Sequence, residues 1–259
     1  MHPLLISFIT VSVLLLPLSP TVADELPHSE LSAYHDSSGA IVRGENGEGW
    51  DSRRREILAA LQSVMGELPP ARQDVGLDLN VDESKTVEDP DFRREWISIA
   101  SGDGDRIPAL LYVPKGASAS NRRPGIVALH PTSPLGKMVV AGEGPLPNRN
   151  YAEELARRGY VVIAPDYPSF GDYADYDFEA DDYVSGTMKG IVNHRRCVDY
   201  LCSRDDVLPD RIGAIGHSLG GHNAMFLGVF DERVQVVVSS CGWNAFRDYY
   251  AGDITGWSG

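Results

Sequence analysis

Five residues late in the chain have the types and spacing of a nucleophile site: Gly216-His217-Ser218-Leu219-Gly220, with Gly221 next. A serine hydroxyl attacks a carbonyl only when it is exposed and has an activating base. A sharp turn between a strand and a helix exposes it, and forces strain on the serine backbone. Gly216 and Gly220 stand two residues either side of Ser218, where strand and helix crowd together and a side chain would clash. The Leu219 amide then lies at a helix N-terminus, where free N–H groups and the helix dipole favour a developing oxyanion. The flanks agree with this reading. Ile212 to Ile215 is an apolar run, and Ala224, Met225, Leu227 and Val229 predict a helix ending near Asp231. The chemistry these residues predict is acyl transfer through Ser218.

The elements that must carry this turn are legible as periodicity. Gly125 to Leu129, Tyr160 to Ala164, Ile212 to Ile215 and Val234 to Ser239 are short apolar runs. Helical stretches separate them: Tyr151 to Arg158, with Asn150 as its cap, and Gly186 to Ser203, with Met188, Ile191, Val198 and Leu201 inward. Continuous apolar strands alternating with helices predict a mostly parallel sheet with helices on both faces. Ahead of them, Glu95 to Ala100 and Ile107 to Val113 alternate around Ser101 to Asp105 and predict a hairpin. An edge strand is expected near Leu77 to Val81. Asp51 to Met65 predicts an amphipathic helix with Ile57, Leu58, Leu61, Val64 and Met65 on one face, ended by Gly66.

Composition bounds the rest. The chain has 259 residues, 42% hydrophobic and 23% charged, which is ordinary for one sizeable core. Its net charge of −14 argues against nucleic acid and anionic membranes as partners. Leu4 to Leu16 is an apolar run short for a membrane span, followed by Thr21-Val22-Ala23, so residues 1–23 read as a signal peptide and the product as secreted or periplasmic. An uncleaved anchor is the alternative, because the run has no Lys or Arg before it. Residues 24–90 read as a lead-in, aperiodic up to Gly49, and residues 91–259 as the main domain. The three cysteines, Cys197, Cys202 and Cys241, have no metal spacing and are expected as buried free thiols, with a disulfide left open. With no phosphate-binding loop, dinucleotide fingerprint or metal cluster in the sequence, no cofactor or metal is implied.

On the hairpin, Leu129-His130-Pro131-Thr132, Ala164-Pro165-Asp166-Tyr167 and Gly216 to Gly221, the chain resembles the α/β-hydrolase superfamily from about Glu95 onward. Asp210-Arg211-Ile212-Gly213 and Ser239-Ser240-Cys241-Gly242 look most like its dienelactone-hydrolase-related and acetyl-xylan-esterase-like branch. Dienelactone hydrolases proper carry cysteine where Ser218 stands, so their substrate is not carried over. The resemblance implies a serine esterase acting on small-molecule or carbohydrate esters, with two oxyanion donors. One is the amide of Leu219. The other comes from the loop after the first parallel strand, where Pro131 has no N–H and Thr132 is the candidate; the alternative is a loop that merely leaves the sheet.

The remaining polar residues near the site are weighed the same way. His130 is expected to prop the oxyanion loop, and with Asp166, Tyr167 and His222 forms the candidate pocket wall; for Asp166 a turn cap is the preferred reading over contact with substrate. His217 is expected to pack beneath the elbow, and His194 to be partly exposed. No histidine is assigned to catalysis. Tyr167 to Asp182, rich in Tyr and Asp, reads as a lid or polar wall suited to a sugar ring, or else as a solvated loop.

In this superfamily the chain order is Ser, then Asp or Glu, then His. After Ser218 the sequence holds only His222, and Asp248 and Asp253 are the acids beyond the last recognisable strand. The sequence therefore reads as a partial hydrolase, missing one or two strands, with its acid and base beyond Gly259, and as weakly active or inactive by itself. A prolyl-oligopeptidase-like peptidase and a non-catalytic binding protein of the same fold are the two rival readings.

Overall fold

The computed structural model describes residues 26, 30–44, 47, 49–70, 76–102 and 104–244. The expected signal peptide, Asp248 and Asp253 lie outside them. The chain divides into two compact units, Met1–Ile57 and Leu58–Gly259.

The first unit holds an antiparallel pair, β1 (Ala33–His35) and β2 (Ile41–Arg43), where the sequence suggested an aperiodic lead-in. Three-residue strands are too short to show a period. Their turn is chemical instead: Asp36 Oδ1 accepts from Ser38 N, Ser38 Oγ and Ala40 N, and Gly39 takes a positive φ of 83°. These bonds hold the Asp36 carboxyl below its usual pKa, the Ser38 hydroxyl most of all.

Helix α1 (Trp50–Met65) ends where expected, at Gly66 with φ 96°. Its apolar stripe is narrower than the sequence suggested. Met65 is buried against Met188 and Ile191, with Leu61 packed alongside, but Val64 is 79% exposed.

The second unit is built on a seven-stranded sheet. Its strands are β3 (Asn80–Glu88), β4 (Phe92–Gly102), β5 (Asp105–Pro114), β6 (Arg123–Leu129), β7 (Val161–Pro165), β8 (Val207–His217) and β9 (Val234–Ser240). The order across the sheet is β3-β4-β5-β7-β6-β8-β9. From β7 to β9 all neighbours are parallel; β3, β4 and β5 join antiparallel to one another and to β7. The expected edge strand is present, but starts at Asn80 and carries an irregularity between Asp82 and Val87.

Period-two alternation sorts the core to both faces. Val127, Leu129, Val161, Ile163, Ile212 and Ala214 pack on one side, with Cys197, Val198 and Leu201 of α3 (Gly186–Ser203) and Ala224 and Leu227 of α4 (Leu219–Phe230). Ala128, Val162 and Ala164 face the other way, onto Ala152 and Ala156 of α2 (Tyr151–Arg157). Asn150 does precede α2, yet its side chain makes no capping bond. The side chain that does cap is Ser185, whose Oγ accepts from Met188 N at 3.1 Å at the start of α3.

β9 departs from the other parallel strands. Val234 is buried, while Val236, Val237 and Val238 are 61%, 39% and 47% exposed. The cysteines also differ from expectation. Only Cys197 is buried, which pushes its thiol pKa up; Cys202 is half-buried and Cys241 exposed, and all three are free thiols.

Candidate active site

β8 ends at His217 and α4 starts at Leu219, so a single residue, Ser218, makes the whole turn. Its backbone sits at φ 54°, ψ −118°, a conformation L-residues avoid. The turn is held from both sides. Ser218 N donates to Ser240 O at 2.8 Å, and His222 N donates to Ser218 O at 2.9 Å. The glycines answer to close approach. A Cβ on Gly216 would lie 2.1 Å from Gly220 O, and one on Gly220 would lie 2.0 Å from Leu129 O of β6.

The Ser218 residue is exposed, and its hydroxyl makes no capping bond to α4. The amides opening α4, Leu219 first, have no partner inside the helix, which is where a helix end attracts negative charge. Ser218 lines a cavity of about 260 Å³, with Thr132, Leu135, Val139, Arg149 and His217 among its other walls. The structure thus brings Thr132, from the loop after β6, to the same cavity as Ser218.

The four residues expected to complete that pocket do not line it. His130 is 2% exposed. Its Nε2 accepts from Tyr167 N at 2.9 Å, so its proton is on Nδ1, which donates to Pro131 O at 2.8 Å. Burial lowers its pKa and keeps the ring neutral. His130 therefore ties the loop after β6 to the end of β7. Asp166 is 0% exposed and accepts from Lys137 N (2.7 Å), Lys137 Nζ (2.5 Å) and Asp172 N (2.9 Å), so it reaches no substrate. The half-buried Tyr167 ring packs near Phe170 and His194 and leaves no room for a Cβ on Gly190. His222 turns onto Phe226, with ring centres 4.6 Å apart.

Two further histidines differ from the sequence reading. His217 does not pack beneath the elbow: it is half-buried in the cavity wall, with Nδ1 3.0 Å from Ser240 Oγ. Partial burial, and then the Arg149 cation, lower its pKa. His194 is not partly exposed but 2% exposed, and burial pulls its pKa down to about 3.

With this geometry in hand, comparison with known proteins is direct. The sequence model of the alpha/beta hydrolase family matches residues 127–257, half of the chain. The chain belongs to the alpha/beta hydrolase family. A curated relative, "Putative hydrolase YtaP" of Bacillus subtilis (strain 168), is 29% identical over 198 residues, 73% of this chain and 64% of the relative. Among solved structures, a glucuronoyl esterase from Solibacter usitatus superposes with a TM-score of 0.58 at 23% identity, covering 83% of this chain and 64% of its own. Acetyl xylan esterase 1 from Thermoanaerobacterium sp. JW/SL YS485 gives 0.51 at 17% identity, covering 72% and 57%. At these identities the structural likeness is one of fold. The chain spans less than two thirds of the length of each of these relatives.

This hydrolase-family chain has a second and larger cavity, of about 920 Å³, that shares no lining residue with the first. Part of the segment left open as wall or solvated loop lines it, with Tyr173, Tyr176 and Asp181; Tyr183 just beyond that segment and, from other elements, Asp105 and Lys189 complete the wall. Tyr173 and Tyr176 each donate a hydroxyl to a carboxylate, Asp105 and Asp181, at 2.5 Å. Burial, and then these carboxylates, raise both phenol pKa values. Lys189 bonds Asp105 (2.5 Å) and Ser101 (3.0 Å) and lies 5.2 Å from the Tyr176 ring centre. Sequence reading missed Lys137, Arg149 and Lys189. Each is a lone cation in an unremarkable stretch, and only the tertiary fold brings Lys137 and Lys189 to their carboxylates and Arg149 to the Ser218 cavity.

Proposed function

We propose that the protein is a secreted serine hydrolase that cleaves carboxylic esters through an acyl-enzyme on Ser218. The observation that carries this reading is the Ser218 turn: an exposed hydroxyl on a backbone held at φ 54°, at the mouth of a cavity shared with Thr132. A strained residue whose side chain makes no hydrogen bond to the described residues is most simply accounted for by what its hydroxyl does.

The steps are those of acyl transfer. Ser218 Oγ bonds to the ester carbonyl carbon, and its proton passes through a general base to the leaving alkoxy oxygen. The amides of Leu219 and Thr132 hold the oxyanion while the tetrahedral centre forms. The carbon–alkoxy bond then breaks and the alcohol leaves carrying a proton. Water attacks the acyl-serine, frees the acid and restores the hydroxyl. The described histidines are not assigned as base: His130 and His194 are buried, His222 faces Phe226, and His217 Nδ1 faces Ser240.

For the substrate, the class favoured is a small-molecule or carbohydrate ester; the tyrosine- and aspartate-lined cavity shares no lining residue with the Ser218 cavity and does not choose it. The glucuronoyl and acetyl xylan esterases among the structural neighbours agree with that class. Secretion rests on the apolar run at Leu4 to Leu16 and the small residues that follow it. A fluorophosphonate probe on the full-length protein tests the mechanism. The expected result is a single adduct on the peptide containing Ser218, lost in Ser218→Ala. A folded protein that stays unlabelled would overturn the proposal.

A further inference from the structure

The loop that carries Thr132 is pinned at both ends to the loop after β7. At its start the Tyr167 amide bonds His130. At its far end Lys137, 1% exposed, is gripped twice by Asp166: main-chain N to Oδ1 at 2.7 Å and Nζ to Oδ2 at 2.5 Å. Asp172 adds a second carboxylate to Nζ at 2.6 Å, and Gly171 N donates to Pro134 O at 3.3 Å.

The backbone is shaped around this carboxylate. Gly136 and Gly171 both sit at positive φ, 53° and 59°, and a Cβ on either would lie 2.1 or 2.3 Å from Asp166 Oδ1. Lys137 points inward, while Leu135 and Val139 close to it on the chain line the Ser218 cavity.

We propose that Asp166 and Lys137 are positioning residues, which hold the Thr132 stretch of the cavity wall in register with Ser218. This rests on the ester-hydrolase reading above. A buried ion pair is a poor source of stability, because desolvating both charges offsets most of their attraction. What it does supply is fixed geometry, since a lysine and two carboxylates held by four hydrogen bonds have few alternative arrangements. An oxyanion donor needs that fixity, because it acts in the transition state and loses its effect when displaced.

The test compares Asp166→Asn and Asp172→Asn with the full-length wild-type protein on an acetyl ester such as p-nitrophenyl acetate. Asp172→Asn removes one carboxylate charge from Lys137 and leaves the buried pair intact, so it stays informative if Asp166→Asn does not fold. The expected result is a fall in kcat, roughly 30-fold for Asp166→Asn and a few-fold for Asp172→Asn, with KM within about two-fold of wild type. Amide hydrogen exchange should rise across residues 131–138 and stay unchanged in α4. Unchanged kcat in a folded variant, a loss that falls on KM, or exchange that rises through α4 as well would overturn the proposal. If Ser218→Ala leaves ester cleavage intact, it is the hydrolase reading that fails. The exchange pattern needs no activity and separately decides whether the pair holds this loop.

Discussion

Gly216 and Gly220 touch across the elbow so closely that a Cβ on Gly216 would sit 2.1 Å from both the carbonyl carbon and oxygen of Gly220. The obstacle is backbone, which cannot swing aside as a side chain can. Gly216→Ala should therefore force the strand and helix apart, at a cost of about 3 kcal/mol. For a domain of this size that lowers Tm by roughly 6–12 °C. Calorimetry measures it, and an unchanged Tm would mean the contact relaxes freely.

Ser218 gives a prediction of the opposite sign. At φ 54°, ψ −118° a glycine carries no strain, and the hydroxyl makes no capping bond to be lost. Ser218→Gly should raise stability by about 1 kcal/mol, strain relief exceeding the added chain entropy. Ester cleavage should fall by roughly a thousand-fold or more in the same variant. Denaturant unfolding and ester assays on one preparation read both effects.

His194 should set part of the acid sensitivity. It is buried, its Nδ1 has no hydrogen-bond partner among the described residues, and its pKa falls from 6.5 to about 3. Between those values the unfolded chain binds a proton that the folded protein does not. Stability contributed by the neutral ring is thus fully present above pH 6.5 and is lost as pH falls toward 3, by up to about 1.4 kcal/mol per pH unit. His194→Phe should flatten that slope without a comparable loss at pH 7.5. Urea midpoints from pH 7.5 to pH 5 give the comparison, and an unaltered slope would remove His194 from the account.

The β9 valines should make the 259-residue chain prone to self-association. Val236, Val237 and Val238 are exposed on adjacent positions of a strand, so apolar surface lies on both of its faces. Val236→Lys places a charge on one of those faces. It should reduce light scattering at high concentration while changing the unfolding free energy by less than about 0.5 kcal/mol.

The sequence by itself determined the parts whose information is local. A glycine at 216 and at 220, an apolar run before and a helical period after were enough to place the Ser218 turn. Apolar runs and their spacing placed β6, β7, β9 and α3 to within about two residues, and found only the middle of β8, which starts five residues earlier, at Val207. Val64 fits the α1 stripe by spacing yet lies in solvent, because period tells which residues share a face and not how much of that face is covered. The cavity walls were decided by the tertiary structure. β7 inserts between β5 and β6, and that insertion brings the loop after β6 against the loop after β7. Only then do His130 and Tyr167, 37 residues apart, share a hydrogen bond, and Lys137 and Asp166, 29 apart, an ion pair. Charge and hydrogen bonding act through space at a few ångströms, and the chain order records no such distance until the strands have paired.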